Sequence, residues 1–262
     1  MKIILIGANG WVGKKMSSEL KKRGHTVLPI RHEFIFTEFM NKNHRVYDWV
    51  VNCGGVTGVP NVDACEKEKG YTLEGNAVFP VRLLDECKKY GIKMAHFSNG
   101  CIYQGHITDV NADPNFFGST YSISKGVSDT ILKKEALVFR IRMPFTGERE
   151  PKNLLTKILN YAKNGKLYDS GYNSFTDLDE AVQVACDLVE EGAIGPYNLV
   201  NSGYLNMREL VELLDVYAEF YTEEEFKTVT TAERSTCVIP AYEKMSGVIA
   251  AMKQAITNYY LH

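Results

Sequence analysis

At 262 residues the chain can form one large α/β domain, or a nucleotide domain with a small companion, around a sizeable buried core. A formal net charge of −2 gives no basic footprint for nucleic acid, and no apolar run approaches the about 18 residues of a membrane span. The six cysteines (Cys53, Cys65, Cys87, Cys101, Cys186, Cys237) show neither metal-ligand spacing nor a disulfide pattern, and a strand pattern starts directly after Met1; a reduced, cytoplasmic protein without a metal site is the expectation.

Lys2-Ile3-Ile4-Leu5-Ile6 is a short continuous apolar run, the pattern of a strand buried in a parallel sheet. Gly7-Ala8-Asn9-Gly10-Trp11-Val12-Gly13 follows at once, and a helical pattern then runs to about Arg23. Between a strand and a helix this glycine spacing fits a dinucleotide. The first glycine permits the tight turn, the second lets backbone approach a pyrophosphate, and the third packs helix against strand. The helix N-terminus adds free N–H groups and a partial positive charge. Gly7, Asn9, Gly10, Trp11, Val12 and Gly13 therefore form the candidate phosphate-binding turn. His25 to Ile30 reads as the second strand and ends in Arg31-His32, with no carboxylate at that point. An arginine there suits a 2′-phosphate, so NADP(H) is the expected cofactor, with a solvated surface charge as the plainer account of Arg31. Tyr47 to Asn52 gives a third strand, and Cys53, Gly54 and Gly55 behind it are small enough to run beside a cofactor. Residues 61–69 and 71–90 read as helices, with Leu83, Leu84 and Cys87 on one core-facing stripe and Cys65 as a packing residue.

The stretch from Ala95 to Lys125 is the one around which the rest is arranged. A strand through His96, Phe97 and Ser98 breaks at Asn99-Gly100 and sets Cys101 at its end, and a polar loop leads to a helix over 119–135 carrying Tyr121 and Lys125. Positions i and i+4 share a helix face, so both side chains project toward the strand end. An ammonium one turn away makes a phenol's proton easier to give or take. Y-x-x-x-K also arises by chance on many helices, and the glycine turn is what gives the pair weight. Residues 136–142 read as the next strand, stopped by Met143-Pro144. Alternating strands and helices to this point predict a doubly wound parallel sheet, with ligands at the strands' carboxyl ends.

Beyond about residue 145 the pattern loosens: a helix over 152–163, short strands near 166–169 and 196–200, helices near 178–191 and 206–217, a solvated helix start at Glu223-Glu224-Glu225, and a terminal helix over 241–260. The chain thus divides into a dinucleotide-binding domain, 1–145, and a mainly substrate-binding lobe, 146–262, with some elements returning to the sheet.

Gly7-x-x-Gly10-x-x-Gly13 with the Tyr121/Lys125 pair resembles the extended short-chain dehydrogenase/reductases that act on nucleotide sugars. VVNCGGVTGVPNVDACE (50–66), NGCIYQG (99–105), DPNFFGSTYSISKG (113–126), RIRMP (140–144) and PKNLLTKILNY (151–161) resemble the nucleotide-rhamnose synthases, relatives of dTDP-4-dehydrorhamnose reductase. The likeness is dense to about 161 and thinner afterwards, where YNLVNSG (197–203) and AERS (232–235) still match. It implies a Rossmann-type fold and a nucleoside-diphosphate 4-keto-6-deoxyhexose as substrate. It implies Tyr121 as general acid at the C4 carbonyl, Lys125 on the nicotinamide ribose, and Cys101 with Lys157 as the proton-transfer pair for C3/C5 epimerisation. Met143 and Pro144 fall beside the cofactor, Thr57, Asn115 and Arg234 on the substrate, and helices 71–90 and 119–135 pair with their copies in a homodimer. Family members usually carry Ser or Thr at position 99. The Asn99 amide can donate the same hydrogen bond but is longer and planar.

The resulting expectation is an NADPH-dependent epimerase/reductase converting a nucleoside-diphosphate 4-keto-6-deoxyhexose, UDP-4-keto-6-deoxyglucose first among them, to an L-rhamnose-type sugar nucleotide. A 4-keto reductase without epimerase activity and a nucleotide-sensing binding protein that has lost catalysis stay open as alternatives.

Overall fold

The computed structural model describes residues 1–36 and 46–261. Its strands are β1 (Lys2–Ile6), β2 (Thr26–Ile30), β3 (Trp49–Asn52), β4 (Lys93–Asn99), β5 (Gly105–His106), β6 (Leu137–Ile141), β7 (Pro144–Phe145), β8 (Thr176–Asp177), β9 (Gly195–Asn198) and β10 (Cys237–Val238). Six of them form one parallel sheet in the order β2-β1-β3-β4-β6-β9. Successive side chains of a strand point to opposite faces, and β1 shows the consequence. Ile3 and Leu5 join a core with Met16, Leu20, Leu178 and Ala185, while Ile4 and Ile6 join another with Leu83, Leu84 and Cys87. Both faces are covered by helices, which is why the strand reads as an unbroken apolar run.

The topology places the site. The chain leaves β1 toward β2 on one side and returns to β3 on the other, so a crevice opens beyond the carboxyl ends of β1 and β3. Ile6 pairs with Asn52, and Asn52 pairs with His96, so Gly7 and Cys53 emerge side by side. β4 continues three residues further and pairs Asn99 with Ile141, which carries Asn99 out over that crevice.

The second half divides its elements. Helix Leu178–Glu191 packs with the first helix, α1 (Trp11–Lys22), and β9 adds to the sheet beside β6. Phe145, Leu155, Ile158, Phe175, Leu210 and Met252 belong to a separate core, built from the second half of the chain.

Some elements differ from their expected bounds. The helices expected over 61–69 and 71–90 run as Asp63–Lys67, a break at Glu68, Lys69–Leu73, a π turn at Glu74–Val78 and Phe79–Tyr90. Pro80 explains the widening, because proline has no N–H and its ring clashes with the carbonyl four residues back in a regular helix. Near 166–169 there is an isolated bridge, Leu167 with Phe220, in place of a strand. The terminal helix starts at Val248 and not near 241, because the Tyr242 N–H donates to the Asn198 carbonyl and the Ser246 carbonyl accepts from Ser202. Helix 206–217 shortens to Met207–Leu213. The acidic run is a helix start, Glu223–Val229, closed by a Thr222/Glu225 capping box.

Candidate active site

The turn after β1 has little room for side chains. Gly7 has φ +77°, and a Cβ there would lie 2.7 Å from the Gly54 nitrogen; a Cβ on Gly13 would lie 2.1 Å from the Gly7 carbonyl oxygen. Without side chains at these two positions the β1 turn can lie directly against the β3 turn, and the start of α1 directly against the β1 turn. Gly10 caps α1 with no side chain, and no acidic residue occupies the first turn, so the N-terminal N–H groups face the crevice. Asn9 is exposed on the turn and Val12 half-buried. The Trp11 indole is buried in the sheet-side core, so it offers the crevice only its backbone.

Arg31 follows β2 on the surface, and its Nε lies 3.0 Å from Glu33 Oε2. The expectation of no carboxylate at this point is therefore corrected: the short helical turn His32–Phe34 brings Glu33 back to Arg31. Cys53, Gly54 and Gly55 border the crevice on the β3 side. Burial pushes the Cys53 thiol well above its usual range. The Asn52 Oδ1 accepts from the Gly54 N–H at 2.9 Å, fixing the turn. Asn76, on the π turn, accepts from the Val56 N–H and donates to the Val56 carbonyl, both at 2.8 Å, fixing the next residues; Thr57 beyond is exposed.

The Tyr121 helix, Thr120–Leu132, is anchored at its start. Ser119 Oγ accepts from Ser122 N–H at 3.1 Å, and the Glu66 carboxylate accepts from Thr120 N–H at 2.6 Å and from its hydroxyl at 2.9 Å. Lys125 is 4% exposed, and burial brings its ammonium down to about 8. A Cβ on Gly55 would stand 3.0 Å from Lys125 Nζ, so the ammonium lies against the β3 turn. Tyr121 is half-buried with its hydroxyl 3.0 Å from Asn99 Nδ2. Burial raises the phenol well above its ordinary range, and the nearby Cys101 raises it further, while the Asn99 amide pulls the other way. Tyr121 therefore keeps its proton at neutral pH, as a proton donor must.

Asn99 links three of the candidate residues. Its Oδ1 accepts from the Cys101 N–H at 2.7 Å, so its NH2 group is turned toward Tyr121. Cys101 sits half-buried on a helical turn, Gly100–Ile102, and its Sγ receives a hydrogen bond from Arg142 Nη1 at 3.2 Å. Lys157 lies half-buried on helix Leu154–Asn164, with no side-chain partner among the described residues; burial, then the charge of Lys152, lower its ammonium.

The remaining candidates share no side-chain hydrogen bond with this group among the described residues, although the Asn115 N–H donates to the Ile102 carbonyl on the Cys101 turn at 3.1 Å. Met143 takes φ +41°, uncommon without glycine, and Pro144 starts β7. The Asn115 amide accepts from the Gln104 N–H at 2.8 Å and donates to the Gln104 carbonyl at 3.2 Å, closing its own loop. Arg234 Nη2 lies 2.6 Å from Asp63 Oδ2, and Asp63 also accepts from the Ala232 and Thr231 N–H groups and the Thr230 hydroxyl. Those bonds, against the cost of burial, hold the Asp63 carboxyl far below the usual carboxylate range.

Sequence reasoning passed over Arg142, Asp63, Asn76 and Glu66. For Arg142 a signal was present: two arginines in the strand-like run Leu-Val-Phe-Arg-Ile-Arg are out of keeping with a strand buried on both faces.

A parallel sheet with a glycine turn at its switch point and a tyrosine–lysine helix beside it is a Rossmann-type fold of the short-chain dehydrogenase/reductase class. The chain belongs to the RmlD substrate binding domain family, whose model matches residues 1–253. It is 30% identical, over 88% of its own length and 82% of the relative's, to a bifunctional dTDP-4-dehydrorhamnose 3,5-epimerase/dTDP-4-dehydrorhamnose reductase of Arabidopsis thaliana. A trifunctional UDP-glucose 4,6-dehydratase/UDP-4-keto-6-deoxy-D-glucose 3,5-epimerase/UDP-4-keto-L-rhamnose-reductase of the same plant is 28% identical over 99% of the chain, which spans only 41% of that relative's length. Among solved structures, the L780 UDP-rhamnose synthase of Acanthamoeba polyphaga mimivirus superposes with a TM-score of 0.86 at 25% identity, covering 98% of this chain and 99% of that one.

Proposed function

We propose that the protein is an NADPH-dependent 3,5-epimerase/4-reductase of a nucleoside-diphosphate 4-keto-6-deoxyhexose, with UDP-4-keto-6-deoxyglucose as the substrate, yielding an L-rhamnose-type sugar nucleotide. The observation that carries this reading is the Asn99 amide at the crevice, whose NH2 donates to the Tyr121 phenol and whose oxygen accepts from the backbone N–H of Cys101, so that one group holds the phenol and the turn that carries the thiol. The bifunctional and trifunctional relatives support it, as does the likeness to a UDP-rhamnose synthase.

The residues fit a dinucleotide: the Gly7, Gly10 and Gly13 turn and the α1 N-terminus suit its pyrophosphate, Lys125 suits its ribose, and Arg31 suits a 2′-phosphate. A reduced nicotinamide supplies hydride to C4 when bound. Tyr121 gives its proton to the C4 oxygen. The Asn99 NH2 donates to the phenol oxygen, so the phenol's own hydrogen is free for the substrate, and the charge left on that oxygen already has a donor. For epimerisation the ketone acidifies the neighbouring C–H groups. Cys101 takes a proton on one ring face as the C–H electron pair moves toward the C4 oxygen, and Lys157 returns a proton on the other face. Lys157 is suited to this by burial, which makes its ammonium a readier acid. The smaller lobe holds the nucleotide end, with Arg234, Thr57 and Asn115 on the substrate side. A homodimer through the Tyr121 helix goes with this reading: Ile123, Val127 and Ile131 are exposed at i, i+4 and i+8.

Incubation with NADPH and UDP-4-keto-6-deoxyglucose in deuterated water tests the reading. Deuterium at the carbons flanking C4 and an L-rhamnose-configured product by NMR are expected. Reduction without deuterium uptake would leave a simple 4-keto reductase, and neither reaction would remove the enzyme assignment.

A further inference from the structure

Arg140 lies in β6 and Arg142 just past its end, both buried, and they are treated differently. Arg140 is 0% exposed and meets a carboxylate: Nη2 and Nε lie 2.6 and 2.8 Å from the two oxygens of Asp129. Arg142, two residues on, is 1% exposed and meets none. Its Nη2 donates to the Ser235 carbonyl at 2.7 Å and to Asn173 Oδ1, and its Nε is buried without a partner. Its remaining partner is Cys101 Sγ, 3.2 Å from Nη1. Among the described residues no carboxylate stands within ion-pair distance of Arg142. A guanidinium does not lose its proton in a protein, and a buried charge is costly without a counter-charge. Of the groups Arg142 touches, only the thiol can supply one, by losing its own proton.

We infer that Arg142 is the counter-ion of a Cys101 thiolate, and so the positioning residue for the base in the epimerisation proposed above, on which this assignment of purpose rests. The surroundings favour that pairing. Arg142 is held by its own N–H, which donates to the Thr176 hydroxyl at 2.9 Å. Asn173 is equally fixed, accepting from the Cys237 N–H at 3.1 Å and donating to the Gly171 carbonyl at 2.9 Å. Gly100 leaves space for the arginine under the turn, since a Cβ there would lie 3.3 Å from Arg142 Cδ. The other titratable groups facing Cys101 are Cys237 from β10 and Tyr121 from its helix, with Cys65 behind Tyr121. Burial raises Cys237, whose Sγ lies 3.2 Å from the Gly100 carbonyl and not on the guanidinium, against the lowering charge of Arg142, and burial raises Tyr121. In the reaction the thiolate gains a proton from carbon, and the electron pair of the broken C–H bond moves to the C4 oxygen.

The test reads Cys101 without substrate. Thiolate absorbance near 240 nm at pH 7 should be larger in wild type than in Cys101→Ser, and iodoacetamide should alkylate Cys101, followed by peptide mass mapping, with a pH profile that Arg142 controls. Arg142→Met should slow alkylation at pH 7 at least tenfold and move the profile to higher pH, since neighbouring cations favour the thiolate. Arg142→Lys, which keeps the charge, should restore part of the rate. Equal absorbance in wild type and Cys101→Ser would overturn the pairing even if no Arg142 variant folds, as would identical alkylation profiles. Deuterium exchange in Cys101→Ser separates the two readings. A thiolate at Cys101 with exchange undiminished sinks the epimerase role and keeps the ion pair; loss of exchange without a thiolate signal does the reverse.

Discussion

Lys125 trades stability for its position, and the size of that trade follows from its burial. An ammonium moved from its ordinary 10.5 to about 8 carries a penalty of about 3 kcal/mol while charged. The folded value lies below the unfolded one, so the unfolded chain binds the proton more tightly between the two. The penalty is therefore present in full below about 8 and is relieved as pH rises toward 10.5. Lys125→Met keeps the length of the side chain and removes the charge. Urea unfolding of the cofactor-free protein across pH 7 to 10.5 should find the variant more stable near pH 7 by up to about 3 kcal/mol, with the difference shrinking as pH rises. The same variant should bind NADPH less well, since it has lost the group proposed for the ribose. Tyrosines and cysteines exposed on unfolding also titrate in this range, alike in both proteins, so the difference between the curves is the quantity to read. Parallel curves from pH 7 to 10.5 would refute the reasoning.

Tyr121→Phe removes the group proposed as proton donor and should cut reduction at least about a hundredfold with NADPH binding nearly unchanged, by steady-state rates and fluorescence titration. Arg31→Ala should weaken NADPH by at least about tenfold with little effect on NADH, as expected for one charge-assisted phosphate contact. An equal loss for both cofactors would assign Arg31 to its ion pair with Glu33 alone. Asp63→Asn should flatten the acid side of the stability curve. The folded carboxyl lies below its ordinary value, so its contribution is complete above the usual carboxylate range and is lost as pH falls through and below it. The readout is the urea midpoint between pH 5 and 3, and a wild-type slope retained in the variant would exclude Asp63. Light scattering at micromolar concentration should give twice the chain mass, and Val127→Lys, in the middle of the exposed stripe, should shift the mass toward one chain.

How much of this was legible in the sequence depended on whether the signal was local. The β1 run, the glycine turn and the i, i+4 relation of Tyr121 and Lys125 are short-range patterns, and the structure keeps each of them. The break at Glu68 and the π turn were hidden because a helical period carries on through Pro80, and where the chain widens to fit it depends on neighbouring packing. The return of β9 to the sheet edge rests on pairing with β6, some 58 residues earlier in the case of Asn198 with Arg140. The Asp63–Arg234 pair spans 171 residues, and nothing local to either marks the other. The Arg142–Cys101 contact was half-visible: an arginine in a buried strand asks for a partner, but only the fold names it.

Asn99 shows why the departure at that position can be a working arrangement. A hydroxyl at a strand end rotates, and it can donate or accept toward either neighbour. An amide cannot exchange its ends without turning over. Here the Cys101 backbone N–H can only donate, so the amide oxygen must face it, and the NH2 must face Tyr121. The phenol oxygen then accepts from that NH2, which leaves its own hydrogen to be given elsewhere. The same amide fixes the backbone on which Cys101 is carried, beside Arg142. One planar group thus sets the orientation of the phenol and the position of the thiol together. Both proton-transfer steps proposed above would depend on that plane, and neither would need a hydroxyl at position 99.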